Sequence, residues 1–255
     1  MIIINDYKNL QQAEIDAMQT ELNKNNYVLY DVGSLEMEDS KDLIRKWGDL
    51  FDLGSLNKNL CADSDSITPI AVSEQKDRGM YIPYSNRAIN WHTDGYYNLD
   101  SEKITGMVLH CISPADTGGS NKIINHQVIY DLMLDKNPAY IDILSQNDVM
   151  TIPANIKSGK IIRPERTGAV FSYTSSGRLH MRYTARKTNI KWHPDAVDAI
   201  KYLNELLANP KKSKMEQVLL KSGQGLICYN ILHTRDSFED TNLTSRMILR
   251  GRYYS

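Results

Sequence analysis

Apolar residues recur at helical spacing near the start of the chain. Leu10, Ile15, Met18 and Leu22 punctuate an otherwise polar stretch, which predicts an amphipathic helix over 8–24. Tyr27-Val28-Leu29-Tyr30-Asp31-Val32 reads as a strand, and Leu43, Ile44 and Trp47 share one face of a second helix expected over 40–50. From 52 to 90 the period disappears and small polar residues multiply, so loops with short strands are expected. The pattern then turns mostly β. A compact apolar strand is expected over 105–112, a turn over 114–119 at Pro114-Ala115-Asp116-Thr117-Gly118-Gly119, and another strand at Ile123-Ile124. Helical periodicity returns over 127–134, 138–144 and 196–207. Strand candidates lie over 149–152, 169–173 and 179–184, and the chain closes with two more over 225–229 and 247–254.

Many short strands with turn signals, and helices gathered into insertions, predict a mainly β protein with flanking helices. A β-sandwich or jelly roll suits this better than a βαβ sheet. No G-x-G-x-x-G follows a strand, so a dinucleotide fold has no support. Helices near the N-terminus would cover one outer face of the sheets. No linker, repeat or low-complexity segment divides the 255 residues. We therefore expect one domain over 1–255, with a helix-and-strand flank at 1–50 and a core with helical insertions at 80–255.

Hydrophobic content of 41% and charged content of 24% are ordinary for a globular protein. Thirty basic residues against thirty-one acidic ones give a net charge of -1, which offers nucleic acid and anionic membranes no electrostatic footprint. No apolar run has the roughly 20 residues needed to span a bilayer. Met1-Ile2-Ile3-Ile4-Asn5-Asp6 lacks the basic flank and long apolar region of a signal peptide. Cys61, Cys111 and Cys228 are widely separated and form no C-x-x-C pair, which argues against a disulfide framework or structural zinc. A cytoplasmic, reducing location is expected.

The candidate chemistry begins at Asn90-Trp91-His92-Thr93-Asp94-Gly95. Side chains two apart on an extended segment point the same way, so His92 and Asp94 can serve as neighbouring metal ligands. One more His would complete the 2-His-1-carboxylate set of non-haem Fe(II) oxygenases, with open positions for a cosubstrate and O2. His110, His126, His180, His193 and His233 are the candidates. His233 stands out because the apolar strand Leu226-Ile227-Cys228 leads towards it and a polar turn follows. Thirteen residues later comes Arg246, a cation of the kind that binds a carboxylate through two parallel hydrogen bonds.

With Trp91-His92-Thr93-Asp94-Gly95, Gly118-Gly119, Asn230-Ile231-Leu232-His233-Thr234-Arg235-Asp236-Ser237-Phe238, Arg246 and Arg250 in this order, the chain resembles the taurine dioxygenase (TauD/TfdA-like) family of Fe(II)/2-oxoglutarate oxygenases. Order and spacing match from about residue 80 to the C-terminus. The resemblance implies a double-stranded β-helix (jelly-roll, cupin-like) core. It also implies that His92, Asp94 and His233 ligate Fe(II), and that Arg246 binds the distal carboxylate of 2-oxoglutarate. The family usually has a Thr shortly after the Gly-Gly turn, also touching that carboxylate. Here Asn121 stands in its place, and an amide can donate the same hydrogen bond. Arg250 falls where taurine-type members hold the substrate's anionic group.

Other residues are read individually. His110 lies inside an apolar strand and reads as a core histidine, and His126, His180 and His193 as structural or exposed. Arg182 can reach a substrate carboxylate or tie strands together. Tyr96 and Tyr97 follow the iron dyad closely enough to line a pocket, and Tyr81, Tyr84 and Asn86 lie where this family often has a substrate loop. Arg182, Arg250 and Arg252 together suggest a small anionic or zwitterionic substrate, such as an amino acid or sulfonate. The expected reaction is its hydroxylation or desaturation with O2, releasing succinate and CO2. The competing readings are a cupin-like metalloenzyme with the same triad but no 2-oxoglutarate, and a non-catalytic binding protein of oxygenase ancestry. A homo-oligomer is compatible with the amphipathic N-terminal helix, which can cover its own sheet or a partner's.

Overall fold

The computed structural model describes residues 1–59, 61–74, 78–79, 81–186, 190–241 and 245–254. In chain order, β1 (Ile2–Ile3), α1 (Gln12–Asn25), β2 (Tyr27–Asp31), α2 (Met37–Leu50), β3 (Ser55–Leu56) and β4 (Thr68–Ile70) come first. β5 (Ile89–His92), β6 (Ile104–Ser113), β7 (Thr117–Gly118) and β8 (Asn121–Ile124) precede α3 (His126–Lys136) and α4 (Pro138–Leu144). The middle holds β9 (Met150–Ile152), β10 (Asn155–Lys157), β11 (Lys160–Arg163), β12 (Arg166–Gly168), β13 (Phe171–Tyr173), β14 (Leu179–Met181) and β15 (Lys191–Trp192). The chain ends with α5 (Val197–Leu207), β16 (Glu216–Val218), β17 (Gln224–Cys228), β18 (Leu232–Arg235), β19 (Phe238–Glu239) and β20 (Met247–Tyr254).

Two sheets carry the architecture. A seven-stranded sheet has the order β1-β2-β17-β6-β20-β3, with β4 also pairing β20, and a four-stranded sheet has the order β16-β8-β18-β5. Alternation along the strands sorts residues to opposite faces. Met107, Leu109 and Cys111 of β6, Leu226 and Cys228 of β17 and Ile248 of β20 meet Ile123 of β8 and Ile231 between the sheets. Val108, Ile227, Leu249 and Tyr253 face the other way, against Met18 and Leu22 of α1 and Leu43, Ile44 and Trp47 of α2. The expected covering of one sheet face by N-terminal helices is therefore observed. Ile124 and Leu232 point outward from the smaller sheet into a third cluster, built by α3, α4, α5 and the middle strands.

Local chemistry explains several boundaries. Glu14 accepts the Gln11 N–H at the start of α1, and Asn125 and Asn137 cap α3 and α4 by accepting from Gln127 and Ala139. Pro138 opens α4, where a missing N–H costs nothing. Gly251 allows α2 to lie close on β20, since a Cβ there would come within 2.6 Å of the Ile44 side chain. The irregular stretch over 52–90 contains β3, β4 and a short 3-10 turn at Ile82–Tyr84. Residues 60, 75–77 and 80 of that stretch lie outside the described residues. Among the described residues, no helix is long and apolar enough to cross a membrane.

Candidate active site

β18 pairs with β5 so that His233 stands directly opposite His92. The imidazole centroids are 4.2 Å apart. Each ring uses Nδ1 in the same way: His92 Nδ1 lies 2.8 Å from the Asn90 carbonyl and His233 Nδ1 lies 3.0 Å from the Ile231 carbonyl. A carbonyl oxygen can only accept, so both Nδ1 atoms carry the proton and both Nε2 atoms present a lone pair. The Asp94 carboxylate Oδ1 is 3.8 Å from His92 Nε2. Donor atoms of His92, Asp94 and His233 all lie within 4.8 Å of one another.

The electrostatics favour a metal-ready state. Burial, aided by the adjacent His233, pushes the His92 imidazole down to about 3, and burial also lowers His233, so both rings are neutral. Burial opposes ionisation of Asp94, but the guanidinium of Arg250 and then that of Arg252 hold its carboxyl well below the usual carboxylate range. Asp94 Oδ2 is buried without a hydrogen bond, although Arg250 ion-pairs with it at 3.2 Å. Two imidazole lone pairs and a carboxylate on one side of a common point fit Fe(II).

Asp94 is placed by long-range contacts as well as by strand alternation. β5 ends at His92, while the Thr93 amide still bonds to the Tyr183 carbonyl at 3.0 Å. The fully buried Asn230 then fixes Asp94. Its Oδ1 accepts the Asp94 N–H at 2.8 Å, and its Nδ2 donates to the carbonyls of Asp94 at 2.9 Å and Ile104 at 2.7 Å. Asn230 has φ 48°, a left-handed conformation in which Asn is enriched.

Three buried arginines approach the triad side of β20. Arg250 holds Asp94. Arg252 donates to the Tyr97 hydroxyl at 3.1 Å and to Asn57 Oδ1 at 3.0 Å. Arg246 lies over the Phe238 ring, its CZ atom 5.1 Å from the centroid. The Gly118-Gly119 turn, left-handed at both residues and held by the Gly119 amide on the Ser237 carbonyl, brings the backbone up to Arg246. A Cβ on Gly119 would lie 3.3 Å from Arg246 Nε.

A sequence profile described as "Taurine catabolism dioxygenase TauD, TfdA family" matches residues 3–252. The chain belongs to the TauD/TfdA dioxygenase family. It is 26% identical over 201 residues to a uridine-5'-phosphate dioxygenase of Streptomyces sp., a match covering 75% of this chain and 71% of the relative. The fold is shared with solved non-haem iron oxygenases. OrfP in complex with Fe and alpha-ketoglutaric acid gives a TM-score of 0.68 at 14% identity, over 98% of this chain and 81% of OrfP. Asparagine oxygenase in complex with Fe(II), 3-hydroxyasparagine and succinate gives 0.67 at 11% identity, over 94% of this chain and 78% of that one. The protein is an Fe(II)/2-oxoglutarate-dependent dioxygenase that uses O2. This displaces the readings as a 2-oxoglutarate-independent cupin-like enzyme or a non-catalytic protein.

Within this TauD/TfdA dioxygenase, two of the residues singled out from the sequence have other work. Arg182 is a correction: its Nε donates to the Tyr96 carbonyl, NH1 to Met150 and Gly168, and NH2 to Arg166. Four backbone carbonyls occupy a guanidinium with five N–H groups, so of the two readings the sequence offered, Arg182 takes the one that ties strands together. Asn121 donates through Nδ2 to the Thr234 carbonyl at 2.8 Å, which commits one amide hydrogen to the β8–β18 ladder instead of to a carboxylate. Tyr96 is buried, packed edge-on against Tyr97 at 5.1 Å, and Tyr97 meets Arg252.

His110, His126 and His180 are core histidines, bonded respectively to the Tyr30 hydroxyl and to the carbonyls of Leu179 and Ile104. Tyr84 is buried, and the Asn86 carbonyl accepts the Phe238 amide. The sequence reading passed over Asn230 and Arg235. Arg235 clasps the turn before β5 by donating to the carbonyls of Pro83, Ser85 and Arg87. Both lie inside the Asn230–Phe238 motif, and that is the only sequence signal for them.

Proposed function

We propose that His92, Asp94 and His233 hold the Fe(II) and that Arg246 receives the distal carboxylate of 2-oxoglutarate. The reaction assigned to the site is hydroxylation or desaturation of a small anionic or zwitterionic metabolite, with succinate and CO2 as coproducts. The two facing sheets are read as the halves of a double-stranded β-helix core within a single domain. The observation that carries this reading is the pairing of His92 with His233 across β5 and β18, each with Nδ1 committed and Nε2 presented beside Asp94.

Iron, cosubstrate and O2 supply the oxidation; the chain supplies ligation, orientation and exclusion of water. The carbonyls of Asn90 and Ile231 hold the imidazoles in the ligating tautomer. Asn230 fixes the backbone of Asp94, and Arg250 keeps its carboxylate ionised. Arg246 is buried beside a left-handed glycine turn, a close-fitting environment for a cosubstrate carboxylate. Arg250 and Tyr97 line the space next to the triad and are assigned to the substrate side, with Tyr96 supporting Tyr97 from behind. The Streptomyces relative, whose substrate by its name is uridine-5'-phosphate, supports a small anionic substrate.

The test is anaerobic titration with Fe(II) and 2-oxoglutarate, following the weak visible charge-transfer band of the chelate, in wild type and Arg246→Ala. The reading expects a band in wild type and a variant that binds iron but needs at least tenfold more 2-oxoglutarate to develop it. Iron binding without a band in wild type would remove this cosubstrate assignment.

A further inference from the structure

Positive charge outnumbers negative charge around Tyr96 and Tyr97. Arg252 is 4% exposed, yet its partners, the Tyr97 hydroxyl and Asn57 Oδ1, are neutral, and its Nε is buried with no hydrogen bond. Asp94, whose charge Arg252 also feels, is ion-paired by Arg250. Around the same aromatic pair, Arg163 lies 6.0 Å from the Tyr97 ring centroid and Arg186 lies 5.9 Å from that of Tyr96. Arg163 leans on the carbonyls of Pro153 and Pro164. Neither Arg163, Arg186 nor Arg252 forms an ion pair among the described residues. The neighbouring Glu165 pairs with Lys191 instead.

Gathering like charges around two tyrosines is unfavourable unless an anion completes the arrangement, and burial of Arg252 makes the imbalance costly. A carboxylate or sulfonate carries one negative charge and would leave two of the three guanidinium groups facing each other. A phosphate ester carries about 1.5 to 2 negative charges at neutral pH and several acceptor oxygens, which planar guanidinium groups engage in pairs. We propose that Arg252, Arg163 and Arg186, gathered around Tyr96 and Tyr97, seat a phosphate-ester group of the substrate. This rests on the reading above that the space beside the triad is the substrate pocket. Arg252 forms the floor of the seat, and Arg163 on β11 and Arg186 form its rim. Arg250, paired with Asp94, stands at the triad end of the pocket and not in the seat, so the phosphate lies away from the metal, and the carbon to be oxidised lies between them.

The seat is tested without knowing the rest of the substrate. Protein loaded with Mn(II) and 2-oxoglutarate is titrated with inorganic phosphate and, separately, methyl phosphate, reading paramagnetic broadening of the 31P resonance. Saturable broadening by both is expected at millimolar concentration, with methyl phosphate the tighter. Arg163→Ala combined with Arg186→Ala removes the rim, and a melting curve checks that the variant is folded. Arg186→Ala alone spares the Arg163 bonds to the Pro153 and Pro164 carbonyls. At least fivefold weaker binding by the double variant is expected. Arg252→Gln is expected to weaken it further.

Broadening that does not saturate, or that is equal in wild type and the rim variant, overturns the proposal. So does acetate that displaces phosphate at equal concentration. Inorganic phosphate binding with no binding of methyl phosphate also overturns it, because the seat would then exclude an ester. The charge-transfer band with Fe(II) and 2-oxoglutarate, measured on the same preparation, separates the two failures. A band without saturable phosphate binding defeats the seat alone, and saturable phosphate binding without a band defeats the cosubstrate reading alone.

Discussion

The carboxamide of Asn230 accepts the amide of Asp94 at 2.8 Å and returns an N–H to the carbonyl of the same residue at 2.9 Å. A residue three positions before His233 thus fixes the backbone of Asp94, the proposed carboxylate ligand, 136 residues away in the chain. Asn230→Ala would leave the Asp94 amide and carbonyl without their partner in a buried setting and would take one of two donors from the Ile104 carbonyl, which His180 still meets. A loss of about 3 kcal/mol in stability is expected, with metal affinity weakened roughly 10- to 100-fold. Asn230→Asp should be worse than Ala, because a carboxylate cannot donate to two carbonyls. Denaturant titration and competitive metal binding check both; an unchanged metal affinity in Asn230→Ala would remove the positioning role.

Arg250 neutralises Asp94 in a site where the carboxylate is only 6% exposed. Arg250→Met removes the ion-pair partner of that buried charge and leaves only Arg252 to offset it, and the metal-free protein is expected to lose about 3 kcal/mol. A divalent ion supplies the missing positive charge. Mn(II) should therefore raise the melting temperature of the variant more than that of wild type. Equal shifts in the two proteins would contradict the pairing.

Three buried histidines set an acid limit on the fold. Burial pushes His110 and His126 down to about 4 and His180 down to about 3, against an ordinary value of 6.5. The unfolded chain then binds more protons than the folded one between about pH 6.5 and 4. Stability rises with pH across that window and falls on acidification, by up to about 3 kcal/mol for each histidine. His126→Gln can keep the N–H that reaches the Leu179 carbonyl while removing the titration. Its stability should fall less steeply than that of wild type between pH 6.5 and 4.5, and a parallel slope would refute the assignment.

Arg182 acts on the backbone. Arg182→Met strips donors from the carbonyls of Tyr96, Met150, Gly168 and Arg166, so a loss of about 3 kcal/mol is expected. In the folded variant the KM for the prime substrate should stay within about threefold of wild type. A tenfold rise in KM with an unchanged melting temperature would return Arg182 to the substrate pocket.

Local pattern was enough for the helices and the long strands, because a helix face and a pleat are written in spacings of three to four and of two. Leu43, Ile44 and Trp47 announced α2, and the run ending at Ile112 announced β6, each within a few residues of the observed ends. The proposed iron-binding set was legible for a similar reason: His92 and Asp94 are near neighbours, and the motif containing Asn230 and His233 keeps its order. Tertiary structure alone decided the rest. The pairing of β17 with both β2 and β6 joins segments nearly 200 and more than 100 residues apart, and local spacing does not encode such register. The arginines make the same point. Arg182, Arg246, Arg250 and Arg252 are identical in chemistry; motif order singled out Arg246 and Arg250, while Arg182 and Arg252 were legible only as cations near a site. A guanidinium takes its role from the acceptor that folding brings to it. For Arg182 that is a set of carbonyls, for Arg250 it is Asp94, and for Arg252 it is a tyrosine hydroxyl and an amide oxygen, with no ion pair of its own among the described residues.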